Sequence, residues 1–285
     1  IKMTQLTTLT TKKRVIKRHR AIRRVICMTG LMAAIVISLR TATNYLLPNS
    51  TTEREGNHVQ TTASSVTVKQ PLERHSVQIN ADLKKLSKTS KPAAIIYKNR
   101  NHYPETLLSA YLNNPEMEDF VAGYLNADIT SHKNEALTSQ EMEQTYPLLL
   151  QWDKRWGYAS YGSSIIGLSG CGPTCLSMVL VSLTRDESQT PAQIAQFSEA
   201  NGYYVEGSGT AWSLMTDGAA QLGLSSRELS LAESTMKAAL DAGQPIICSM
   251  GSGDFTTQGH FILIYGYNEQ GFLVNDPNCI ARSNQ

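Results

Sequence analysis

From Ser169 to Ser177 the chain reads Ser-Gly-Cys-Gly-Pro-Thr-Cys-Leu-Ser. Gly170 lets the backbone turn, and Pro173 opens a helix from about Pro173 to Leu183, so Cys171 stands at a helix start with a glycine on either side. The positive end of the helix dipole and unspent backbone N–H groups lower a thiol's pKa at such a place, which makes a nucleophile. A cysteine nucleophile needs a base within hydrogen-bonding reach, usually histidine. Five of the six histidines precede residue 133, which leaves His260 for the region 147–285. A lone histidine at the head of an apolar strand is often only a hydrogen-bonded core residue. Its uniqueness in the region and the preceding Gly259 favour a base. The imidazole needs an acceptor to orient it. Asp276 closes the next strand, and a hairpin pairing 260–267 with 271–276 would bring it to the start of the first strand. Asn275 competes for that role, and Asn-Asp-Pro is also an ordinary turn signal. The oxyanion of a tetrahedral intermediate needs donors. The Cys171 N–H is one, and the side-chain amide of Gln151 is the candidate for the second.

The same cysteines admit other chemistries. There are five, at 27, 171, 175, 248 and 279. An odd number without regular spacing is not a disulfide framework. Cys171 and Cys175 lie at i, i+4, but a zinc site takes about four ligands and a redox pair is spaced Cys-x-x-Cys. No metal or cofactor is implied. Cys175 and Cys248 read as small buried residues. Cys279 has no evident role.

The elements around these residues suggest an α+β fold, with helices first and an antiparallel sheet after. Pro147–Gln151 reads as a short strand. Helices follow at about Pro173–Leu183, at Pro191–Ala200 behind a Thr190 cap, at Ala211–Leu222 and at Glu233–Ala242. Strands then run over Pro245–Met250, Gly259–Tyr267 and Gly271–Pro277, the last two joined by a turn at 268–271. There is no Gly-rich phosphate motif and no βαβ alternation, which counts against a nucleotide-binding fold.

The first half has a different composition. Residues 1–24 carry nine Lys/Arg and no Asp or Glu, so the formal net charge of +2 hides a basic tail on an acidic body. An uncharged run, Val25–Leu39, follows directly. The pairing of positive cluster and apolar run indicates a signal anchor or signal peptide over 25–47, not a nucleic-acid arm. Thr41-Ala42-Thr43 is a weak cleavage signal. Either reading sends the body outside the cytoplasm, anchored to the membrane through a single pass or secreted. The polar stretch 48–102 reads as a linker with a weak helix near Asn80–Leu86. Residues 103–146 read as a helical prelude, its two short helices meeting at Asn113-Asn114, and residues 147–285 as the main domain.

Gln151, the Ser169–Cys175 motif, Gly259-His260-Phe261-Ile262 and Val274-Asn275-Asp276-Pro277, in that order, resemble the C39-like cysteine peptidases of the papain-like superfamily. The resemblance covers about 147–280. It implies a papain-like fold with Cys171 as nucleophile, His260 as base, Asp276 as orienting carboxylate and Gln151 as oxyanion donor. It implies a peptide or protein substrate. Exporter-fused members trim leader peptides after paired glycines. This sequence shows neither an ATPase segment nor a bundle of apolar spans, and so matches the free-standing, extracytoplasmic branch. Two alternatives share these residues: an amidase or transpeptidase acting on cell-wall peptide, and a surface binding module with an idle site. The sequence stops soon after Cys279, where a further strand or helix would be expected to close the sheet.

Overall fold

The computed structural model describes residues 69–129 and 135–283. The basic tail, the apolar segment 25–47 and the linker up to residue 68 lie outside the described residues. Among the described residues no helix is long and apolar enough to cross a membrane.

The weak helix expected near Asn80–Leu86 lies within a longer one, and helix also replaces linker beyond it. Helices α1 (Ser76–Leu86) and α2 (Lys91–Lys98) occupy that stretch. Their apolar residues are sparse but correctly spaced: Ile79 and Leu83 lie four apart, Ala93 and Ile96 three apart, and all four are buried. The Ser90 hydroxyl accepts the Ala93 N–H at 3.3 Å and caps α2. Next come α3 (Glu105–Asn113), a 3₁₀ turn at Pro115–Met117 and α4 (Glu118–Gly123). The prelude is therefore longer than 103–146 suggests, and its core is continuous with that of the main domain. Ile79, Leu83, Ile96, Leu107, Tyr111 and Phe120 share one apolar cluster with Ile165. Phe120 stacks on Tyr158, ring centroids 4.4 Å apart. A β-carbon at Gly167 would lie 2.5 Å from the Phe120 ring, so the backbone there must stay bare. Truncating this fully buried ring in Phe120→Ala is expected to cost about 3–5 kcal/mol. A denaturant series reads it as a lowered midpoint at unchanged slope, and a loss under about 1 kcal/mol would show that the helices only rest on the domain.

In the main domain α5 (Ser139–Glu143) leads into an extended segment, 147–150, which is not the expected strand. A strand needs a partner ladder. This segment is instead held by single bonds: the Asn275 amide donates to the Tyr146 and Pro147 carbonyls at 3.1 and 3.3 Å, and the Gln151 N–H donates to the Pro277 carbonyl at 2.8 Å. A two-residue ribbon, β1 (Ser160–Tyr161) with β2 (Ser164–Ile165), and the short α6 (Ile166–Ser169) precede the central helix α7 (Cys171–Thr184). Every residue of α7 from Gly172 to Val181 is buried. Cys175, Met178 and Val179 pack in one cluster with Phe261, Leu263, Ala192 and Ala195, while Leu176 and Leu180 meet Ile194, Tyr203 and Leu214 in another. A helix covered on all sides is the core of its domain.

Helix α8 (Pro191–Ala200) starts as expected, with the Thr190 hydroxyl accepting the Gln193 N–H at 3.3 Å. A second ribbon, β3 (Tyr204–Val205) with β4 (Gly209–Thr210), follows. The helix expected over 211–222 is broken into a 3₁₀ turn, Trp212–Met215, and α9 (Asp217–Gln221). The break falls at Thr216, whose ψ of −78° lies outside the helical range. Helix α10 (Glu233–Asp241) then leads into an antiparallel sheet with strand order β5 (Ile246–Met250), β6 (His260–Tyr267), β7 (Phe272–Asn275). The short helix α11 (Ile280–Ser283) follows β7. Mixed helices and small antiparallel sheets make this an α+β protein.

Candidate active site

The site forms where the start of α7 meets the near ends of β6 and β7. Strand register brings the second and third elements together. Tyr267 pairs with Phe272 and Gly266 with Leu273, but Ile264 pairs with Val274 and Leu263 with Asn275. Tyr265 is therefore an extra residue on β6, a bulge. Without it Asp276, one past the end of β7, would oppose Leu263. With it Asp276 opposes Ile262, which shares a face of β6 with His260, because side chains alternate along a strand. The bulge thus puts the carboxylate on the histidine's side of the sheet.

His260 and Asp276 are both buried, and the ring Nε2 lies 2.7 Å from Asp276 Oδ1. The Cys171 thiol lies beside the same imidazole, near enough for each to shift the other's titration. With Nε2 on the carboxylate, Nδ1 is left for the sulfur. Cys171 is the first residue of α7 and is half-buried. Burial by itself would push its thiol up. The His260 hydrogen bond and charge, and the backbone N–H groups of Phe261 and Gly172, outweigh it and hold the thiol below its ordinary value. Burial would likewise depress His260, but the hydrogen bonds to Asp276 and Cys171 and their charges raise it above the ordinary imidazole value. A lowered thiol beside a raised imidazole favours a thiolate–imidazolium pair, the reactive form of a cysteine nucleophile.

Of the two candidates to orient the ring, Asp276 meets it. Asn275 is spent on the Tyr146 and Pro147 carbonyls. Gln151 lies beside this chain of bonds and outside it. Its backbone N–H is tied to Pro277, next to Asp276, and its side-chain Nε2 donates to the Gly167 carbonyl at 3.0 Å. The second N–H of that amide remains to be spent, while Gln151 Oε1 is buried without a partner. As the first helical residue, Cys171 has a backbone N–H outside the intrahelical ladder. The other described cysteines are buried, and burial pushes the thiols of Cys175, Cys248 and Cys279 up, the last to about 11. Cys279 serves the turn after Asp276: its N–H donates to the Asp276 carbonyl at 3.2 Å.

The sequence reading missed the groups that hold Asp276 from behind. The Asn278 N–H donates to Oδ1 at 2.8 Å, and the Arg282 guanidinium lies 3.4 Å from Oδ2. The Asp276 N–H donates to the Ser283 hydroxyl at 2.9 Å. Arg282 is buried. The only signal in the sequence was a charged residue near the sheet's edge strand, six positions past a candidate carboxylate.

Searches of the curated proteins and of the solved structures return no match. Residues 143–285 match the Peptidase_C39 like family, a span that covers half of the chain and holds Gln151, Cys171, His260 and Asp276 together. By that match the chain belongs to the Peptidase_C39 like family.

Proposed function

We propose that this protein is a thiol peptidase of papain-like fold, working outside the cytoplasm through Cys171, His260 and Asp276. The observation that carries the reading is a cysteine at a helix start beside an imidazole whose Nε2 meets a buried carboxylate at 2.7 Å. Family membership supports peptide-bond cleavage as the chemistry. The Cys171 thiolate attacks the carbonyl carbon of the scissile bond, and the π pair moves onto oxygen. The Cys171 N–H and the second N–H of the Gln151 amide donate to that oxyanion. Collapse of the intermediate breaks the C–N bond while the His260 imidazolium gives its proton to the departing amine. Neutral His260 then takes a proton from water, whose hydroxide attacks the thioester carbonyl; the C–S bond breaks, releasing the carboxylic acid and leaving the Cys171 thiolate beside the His260 imidazolium. Asp276 holds the ring in position throughout. The uncharged run behind the basic tail supports an exported body, held by an anchor or released. On this reading residues 147–285 carry the chemistry, and the helices before them are part of its support.

Iodoacetamide labelling at graded pH tests the reading. Cys171 is expected to be the labelled residue and to react well below the ordinary thiol range near ~8.5. A purified protein that also turns over members of a peptide library fulfils the expectation. Labelling like an ordinary thiol, with no turnover, would make the domain a binding module instead.

A further inference from the structure

The turn that follows Asp276 is held by residues from the helical prelude, which lies outside the span matched to the family. Glu116 sits in the 3₁₀ turn between α3 and α4, and its two carboxylate oxygens accept the N–H groups of Ile280 and Ala281 at 2.7 and 2.9 Å. Asn114, itself buried, donates its amide to the Asn278 carbonyl and accepts the Glu116 N–H at 3.1 Å. The Trp152 indole N–H donates to the same Asn278 carbonyl at 2.8 Å. Residues 278–281 are thus gripped from the helical side. The stretch from 278 to 283 carries the polar contacts that steady Asp276 apart from His260: the Asn278 and Cys279 N–H groups, the Arg282 guanidinium and the Ser283 hydroxyl.

We propose that Glu116, with Asn114, is a positioning residue of the site: it fixes the 278–283 turn so that Arg282 occupies Asp276 Oδ2 and leaves Oδ1 facing His260. A carboxylate has two oxygens and can rotate about its Cβ–Cγ bond. Arg282 on one oxygen and the Asn278 N–H on the other remove that freedom, and both depend on where the turn lies. Glu116 sets the turn by a two-point bond, which fixes direction as well as distance. The helical prelude is by this account part of the catalytic scaffold. The consequence for catalysis rests on the peptidase reading, whereas the consequence for His260 does not.

Two glutamates two residues apart make the test. Glu116→Ala removes both acceptors of the turn, and Glu116→Gln keeps one. Glu118→Ala is the control, since Glu118 bonds Ser90 and Tyr111 inside the helical unit and does not reach the turn. The His260 ring is titrated by NMR, and Cys171 alkylation by iodoacetamide is followed against pH. Glu116→Ala is expected to lower the His260 titration and move the alkaline limb of alkylation to lower pH, with Glu116→Gln intermediate and Glu118→Ala unmoved. With a peptide substrate, kcat should fall on the order of tenfold to a hundredfold at unchanged KM, the signature of a displaced catalytic group and intact binding. If Glu116→Ala does not fold, the comparison of Glu116→Gln with wild type carries the test. A reactive wild-type Cys171 with superimposable Glu116 and wild-type titrations overturns the clamp and leaves the peptidase reading standing. Equal shifts in Glu116→Ala and Glu118→Ala overturn it too, as general loosening. An ordinary wild-type Cys171 overturns the peptidase reading, and the His260 titration still decides the clamp.

Discussion

Replacing Cys171 with alanine is expected to lower kcat/KM by on the order of 10⁵-fold or more. The reason is that the sulfur makes the covalent bond, and no neighbour can take over. Cys175 lies one turn further along α7, but it is fully buried and its thiol is pushed up by burial, so it presents no thiolate to a substrate. Serine at position 171 is expected to be as inactive as alanine. The site activates its nucleophile by holding a thiolate against an imidazolium, and a hydroxyl does not ionise in that setting. Folding should be nearly untouched, because the Cys171 side chain is small and only half-buried. Kinetics on a peptide substrate, paired with thermal denaturation, separates the two effects. Turnover in Cys171→Ala above about one per cent of wild type would mean that another group carries the chemistry.

Much of the chemistry was legible because it rides on strong local signals. Gly170, Cys171 and Pro173 announce a loop opening into a helix, and α7 does begin at Cys171. Helix α8 was legible from Thr190 and Pro191, a cap and a first-turn proline. The β6–β7 hairpin followed from its apolar runs and the turn between them. What sequence could not supply was the bulge at Tyr265, which decides which face of the sheet Asp276 occupies. A one-residue shift leaves no mark in composition or period. Nor could it separate Asn275 from Asp276, because adjacent residues on a strand point opposite ways and either parity was open.

The misreadings share a cause. The segment 147–150 has the apolar run of a strand, but its hydrogen bonds go singly to scattered partners, the Asn275 amide, Met178 Sδ, the Trp156 indole and the Asp153 N–H, and form no ladder. The stretch from Ser76 was read as linker because its mean polarity is high. Polarity averaged over a window hides two pairs of apolar residues at helical spacing, and four buried side chains on α1 and α2 suffice once α3 and α4 cover them. Arg282 and Glu116 were invisible for the same reason. Each is a charged residue whose partner is set by tertiary contact: Arg282 meets Asp276 when α11 turns back, and Glu116, otherwise an acidic first-turn residue, meets the start of α11.

Asp276→Asn is expected to narrow the pH profile of kcat/KM from both sides and to lower its maximum by about 10²-fold or more. On the proposed mechanism, wild-type activity should rise as Cys171 loses its proton, below the ordinary thiol value, and fall as His260 loses its own, above the ordinary imidazole value. The active form is the ion pair between those limits. Asp276 favours the imidazolium by accepting its proton at 2.7 Å and by its charge. Asparagine keeps the shape and removes the charge, so His260 falls toward its ordinary value and the alkaline limb moves to lower pH. The thiolate then loses part of its counter-charge, so Cys171 rises and the acid limb moves to higher pH. The two limbs belong to the coupled pair and not to either residue alone, which is why one substitution moves both. Removing the carboxylate charge also leaves Arg282 buried beside a neutral amide, so some loss of stability accompanies the change. Arg282→Met made together with Asp276→Asn relieves that charge and should recover stability without recovering the width of the profile. Rates measured across pH for the single and double variants check this. A profile in Asp276→Asn with both limbs in place and only a lower maximum would mean that the carboxylate positions the ring without setting its charge.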